Sequence, residues 1–129
     1  LSLCFETARR SLALAAVLLG LALLRPVPAA AHAVVVSSEP VAGAALATPP
    51  ARVTIRFNSR LDHERSRLLL IGPDGAQTPL AIAGDSDPVV LAAPLSAPPG
   101  PGAWRLRWQV LAVDGHITRG DIPFSIQAP

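Results

Sequence analysis

Apolar positions are distributed along this chain in two unlike ways. From Leu12 to Leu24 they form an unbroken run, preceded by Arg9-Arg10 and followed by Arg25-Pro26-Val27-Pro28 and Ala29-Ala30-Ala31. Beyond Ala31 they alternate with polar residues in short segments set apart by Pro and Gly. The alternation is plainest in Val53-Thr54-Ile55-Arg56-Phe57, and in Trp104, Leu106, Trp108 and Val110, whose parity is opposite to that of Arg105, Arg107 and Gln109. A period of two gives a strand one apolar and one polar face, which assigns both Trp to the core side. Leu68 to Ile71 is continuously apolar and ends at the turn sequence Gly72-Pro73-Asp74-Gly75, so Gln77 to Ile82 is predicted to return as a hairpin partner. Ala33 to Ser38, Val89 to Ala92 and Thr118 to Ile126 add further strands. In the last, Ile122, Phe124 and Ile126 face inward and Pro123 confines the strand to an edge or an irregularity in the ladder. About seven short strands with this punctuation make an all-β domain, a sandwich or Greek-key barrel.

The leading run reads differently. Basic, apolar and small-residue regions in that order are the pattern of a secretory signal peptide over residues 1–31, with Ala29 and Ala31 framing a cut after Ala31. A membrane anchor is the other reading, but a helix of this run is only ~20 Å long against a ~30 Å hydrocarbon core. Cys4 precedes the apolar run and so cannot serve as a lipoprotein anchor. The paired Arg is a weak hint of the twin-Arg export route. Leu1 in place of Met suggests an unusual start codon or a slightly misplaced start.

This division changes the charge picture. The whole chain has 11 basic and 9 acidic residues and a formal charge of +2, which would raise nucleic acid or an anionic membrane as a partner. Residues 1–31 contain Arg9, Arg10, Arg25 and Glu6, so eight basic and eight acidic residues remain in the domain 32–129 and it is formally neutral. The nucleic-acid reading loses its basis. The domain also has neither Cys nor Met, so it carries no thiol into an oxidising compartment.

Reactive or ligating side chains are correspondingly few: His32, His63, His116 and some carboxylates. Cleavage after Ala31 makes His32 the first residue, where its free α-amine and its imidazole can chelate one metal. His116 ends Val113-Asp114-Gly115-His116, and in an extended chain residues 114 and 116 point to one side. An amine, two imidazoles and a carboxylate suit tetragonal Cu(II); Zn(II) accepts similar ligands, whereas Cu(I) prefers sulfur, which the domain lacks. Taken singly, His32 is a solvated terminus and Asp-Gly-His an ordinary turn. Together they gain weight, because a first strand held in a sheet can carry its end to the loop of the last hairpin. His63, within Leu61-Asp62-His63-Glu64-Arg65, is expected in a solvated charged connection. No G-x-S-x-G and no phosphate-binding Gly loop is present, so no catalytic residue and no organic cofactor is expected.

Ala31-His32-Ala33, Ser37-Ser38-Glu39-Pro40 with Gly43 and Leu46, Pro50, and Val53 through Phe57 resemble the opening of the CopC-type periplasmic copper-binding (copper resistance) proteins. Pro99-Gly100, the Trp104–Trp108 strand, Val113-Asp114-Gly115-His116, Gly120 and Phe124 resemble their closing stretch. The resemblance spans nearly the whole domain. It implies an Ig-like Greek-key sandwich and one Cu(II) in a histidine brace: the α-amine and ring of His32, the ring of His116, and Asp114 completing or flanking the plane. Some members have a Met-rich segment read as a Cu(I) site, which a chain without Met cannot reproduce. The family often works beside a CopD-type inner-membrane copper transporter, expected here as a separate chain, with the copper protein a monomer. Two other readings compete. Lytic polysaccharide monooxygenases also use an amino-terminal histidine brace on an Ig-like fold, but a domain with no Tyr and both Trp inward offers little aromatic surface to a polysaccharide. The other is a metal-free Ig-like interaction module.

Overall fold

The computed structural model describes residues 2–23 and 32–129, which belong to two separate compact units. The first unit is helix α1 (Ser2–Leu23), 22 residues with none buried. Its Leu and Ala content favours a helix by propensity alone, because no tertiary packing covers its apolar side chains. No helix among the described residues is long and apolar enough to cross a membrane. The predicted cleavage site, Ala29 to Ala31, lies outside the described residues.

The second unit has eight strands: β1 (Val35–Glu39), β2 (Ala44–Leu46), β3 (Arg52–Phe57), β4 (Leu61–Ile71), β5 (Gln77–Pro79), β6 (Val90–Pro94), β7 (Gly102–Ala112) and β8 (Ile117–Ile126). They form a three-stranded sheet, β1-β3-β6, and a five-stranded sheet, β2-β8-β7-β4-β5. The result is the predicted all-β sandwich, and its core comes from one parity of each long strand. Val53, Ile55 and Phe57 from β3 meet Leu106, Trp108 and Val110 from β7, and Leu68 and Leu70 from β4. Phe57 and Trp108 touch edge to face, with centroids 5.1 Å apart, the arrangement that ring quadrupoles favour.

The structure corrects the sequence reading at several places. There are eight strands, because Ala44–Leu46 pairs in parallel with Phe124–Ile126; three residues between turns are too few to show a period. Leu61 to Arg65 is not a loop. It opens β4, whose pairing with β7 slips between Asp62 and Arg67. Ser66 lies at this slip, 2% exposed, and its hydroxyl donates to the Asp62 carbonyl at 2.6 Å and accepts from Leu111 N–H at 3.3 Å. That hydroxyl satisfies the backbone groups that the bulge leaves over, which lets a polar run remain inside a strand. Pro123 is in a strand with neighbours on both sides, and its carbonyl accepts from Gly43 N–H at 2.7 Å. Its nitrogen faces that same side, just before the β2 pairing begins at Phe124, so no ladder donor is lost. Trp108 is in the core as expected. Trp104 is only half-buried at the margin, its indole N–H donating to the Gly100 carbonyl at 2.8 Å.

Candidate metal centre

β7 and β8 form the longest ladder of the fold, running from Gly102↔Ile126 to Leu111↔Ile117. Their connection presents Asp114 and His116. It closes through Ala112 N–H to the His116 carbonyl and Gly115 N–H to the Ala112 carbonyl, both 2.9 Å. Gly115 has φ of +91°, a conformation that a side chain would oppose. Asp114 folds its carboxylate onto the residue two positions on: Oδ1 accepts from His116 N–H at 3.1 Å and Oδ2 is 2.8 Å from His116 Nδ1. These bonds, the backbone one first, hold the Asp114 carboxyl below the usual carboxylate range despite some desolvation, and the His116 and His32 charges add to the effect. With Nδ1 engaged, Nε2 is the nitrogen that His116 keeps for another partner.

His32 is exposed, and its ring lies against that of His116, centroids 4.9 Å apart and planes at 84°. Several bonds hold the chain just behind it. Ala33 is buried, and its carbonyl accepts from the Thr118 hydroxyl at 3.2 Å. Val34 N–H donates to Asn58 Oδ1 at 2.8 Å, and its carbonyl accepts from Asn58 N–H at 3.0 Å. Asn58 and Thr118 escape the sequence reading, since neither belongs to a ligand type or a spacing pattern. The only linear signal is that Asn58 directly follows the clearest strand.

The three residues named as ligands from sequence therefore converge. Metal–nitrogen bonds of about 2 Å put two imidazoles on one ion at centroid separations of roughly 4 to 6 Å, shorter for adjacent and longer for opposite positions. The observed 4.9 Å falls within that span. Among the described residues, however, no three His, Cys, Asp or Glu side chains form a ready-made cage. Both Asp114 oxygens are turned onto His116. His63 stands apart in role. It is half-buried in β4, with Nε2 2.7 Å from the Val90 carbonyl oxygen, a link from one sheet to the other.

Residues 35–127 match the CopC domain family. The chain belongs to the CopC family. Protein YobA of Escherichia coli (strain K12) is 31% identical over 99 residues, an alignment covering 75% of this chain and 80% of that protein; protein YobA of Shigella flexneri matches to the same extent. Among solved structures, CopC from Methylosinus trichosporium OB3b superimposes with a TM-score of 0.68 at 23% identity, over 74% of this chain and 94% of the other. PcoC from Escherichia coli, described as a methionine-rich copper resistance protein, gives 0.62 at 26% identity, over 75% of this chain and all of the other. The family match begins at Val35, three residues after His32, and takes in Asp114 and His116.

Proposed function

We propose that this CopC-family chain is exported to the periplasm with residues 1–31 removed, and that the processed protein, beginning at His32, carries one Cu(II) for buffering, resistance or delivery. The α-amine and ring of His32 chelate the ion, and His116 supplies a second imidazole through Nε2. Asp114 orients that imidazole and places negative charge beside the site. The observation that carries this reading is the edge-to-face approach of the His32 and His116 rings at 4.9 Å, with Asp114 on the far nitrogen of His116. A metal-bound imidazole whose other nitrogen is held by a carboxylate is a recurrent arrangement, and it makes the ring a better donor. The donor set is nitrogen and oxygen only, which favours oxidised over reduced copper. PcoC, by contrast, is described as methionine-rich, and this chain has no Met. A CopD-type membrane transporter on a separate chain is the receiving partner implied by the family resemblance. The proposed role is that of a carrier, with copper as its cargo.

The test compares Cu(II) affinity, by competition titration, for three proteins: the exported protein, a form with one extra residue before His32, and His116→Ala. The extension abolishes the amine chelate and the substitution removes the second ring, so each is expected to weaken binding by at least about tenfold. Equal affinity in all three would remove the proposed site. Mass spectrometry of the exported protein checks the start at His32 directly.

A further inference from the structure

We infer that Asn58 and Thr118 are positioning residues that hold the chain behind His32 and so present it to His116. The inference rests on the copper reading above. An amino-terminal chelate is only as well organised as the few residues that follow it, and chain ends fray unless tied down. Here β1 does not begin until Val35, whose ladder partner is Phe57. Residues 32–34 lie beyond the strand, so the β1–β3 ladder alone leaves them free.

Asn58 adds the missing rung. In an antiparallel ladder the next pair after Val35↔Phe57 is Val34 with Asn58, and such a pair exchanges two backbone bonds. One is made normally, Asn58 N–H to the Val34 carbonyl at 3.0 Å. The other is made by the side chain: Val34 N–H donates at 2.8 Å to Asn58 Oδ1. Any residue but Pro could supply the first, but the second needs a side-chain acceptor of this length. Thr118 acts from the other sheet. It lies two residues after His116 in β8, and its hydroxyl donates to the Ala33 carbonyl at 3.2 Å. The backbone next to His32 is thus bonded to the strand that follows His116, and the buried Ala33 side chain anchors the same point. The two imidazoles are carried by segments that share a hydrogen bond, so their separation is set before any metal arrives.

Two pairs of substitutions in the exported, processed protein test this. Asn58→Ala and Thr118→Val remove the acceptor and the donor, while Asn58→Asp and Thr118→Ser retain them. The first pair is expected to lose about tenfold in Cu(II) affinity and to give a broadened, mixed Cu(II) EPR spectrum, and the second to stay within about threefold of the parent. Thermal unfolding of the metal-free proteins shows whether each variant is folded. Amide hydrogen exchange in the unsubstituted metal-free protein needs no variant: the Val34 N–H is expected to be protected. Exchange at the rate of a free chain end would overturn the inference, and so would parental affinity in folded Asn58→Ala and Thr118→Val while His116→Ala loses copper. If His116→Ala also binds as the parent does, the copper reading itself fails and the positioning role falls with it.

Discussion

Single residues in this domain are constrained by what lies opposite them more than by their own type. Gly120 shows this best. Its ladder partner is Trp108, and a Cβ built there would come within 2.5 Å of Trp108 Cζ2 and 2.8 Å of Cε2. The indole lies against the glycine and also packs edge to face with Phe57, so a Cβ at this position meets a ring already held in the core. Gly120→Ala is therefore expected to destabilise the domain by about 1–3 kcal/mol through overpacking, read as a lower urea midpoint with an unchanged slope. Nothing in the linear neighbourhood of Gly120 announces this, whereas the inward parity of Trp108 is plain from its alternation with Arg107 and Gln109. His116 and Asp114 divide in the same way. Their spacing indicated a common side of the chain, but the turning of both carboxylate oxygens onto His116 depends on the loop geometry at Gly115.

Among the elements, the β7–β8 hairpin has the most exacting local chemistry. On its outer face Asp121 accepts from Arg107 Nε at 2.9 Å and from Arg107 Nη2 at 3.0 Å, with Arg105 Nη1 at 3.4 Å. The Arg107 hydrogen bonds, helped by the charges of Arg107 and Arg105, hold the Asp121 carboxyl below the usual carboxylate range against a partial desolvation. Because the folded state binds this proton less readily than the unfolded state, the pairing stabilises the fold above the unfolded carboxyl pKa of about 4, and that contribution is lost as pH falls through the lower folded value. Asp121→Asn is accordingly expected to lower stability at neutral pH and to flatten the acid limb below about pH 4. Urea titrations across that range check both. Element by element, the long alternating strands were legible because burial of one face imposes a period of two. β2 and the first half of β4 were not. β2 is too short to show a period, and β4 contains a polar run that is tolerated only because Ser66 serves the bulge.

At the scale of the whole molecule, the formal neutrality of residues 32–129 conceals a basic patch on one sheet. Arg67, Arg107 and Arg119 share the outward parity of the β4-β7-β8 face with Asp121, and a concavity of about 650 Å³ opens among them. Metal binding is a whole-molecule property too, because the proposed ligands follow from the start of one sheet and from a hairpin of the other. A ligand that binds only the folded state at a hundred times its Kd adds about 2.7 kcal/mol, which for a domain of this size is a rise in Tm of roughly 10–20 °C. Copper at that excess is expected to produce such a rise, a chelator to reverse it, and acidification from pH 7 to 5 to weaken it, since the ligands must lose their protons to bind. A copper-independent Tm would count against the site. Read alone, the sequence determined the all-β class, the inward faces of the long strands, the candidate ligands and the family resemblance. Each of these follows from local chemistry: periodicity, turn residues and the short inventory of donor groups. Only the tertiary structure decided that His32 lies against His116, that Asn58 and Thr118 tie down the chain behind it, and that Gly120 makes room for Trp108. Those facts depend on groups far apart along the chain that meet when two sheets close on one core, and no local pattern encodes such a meeting.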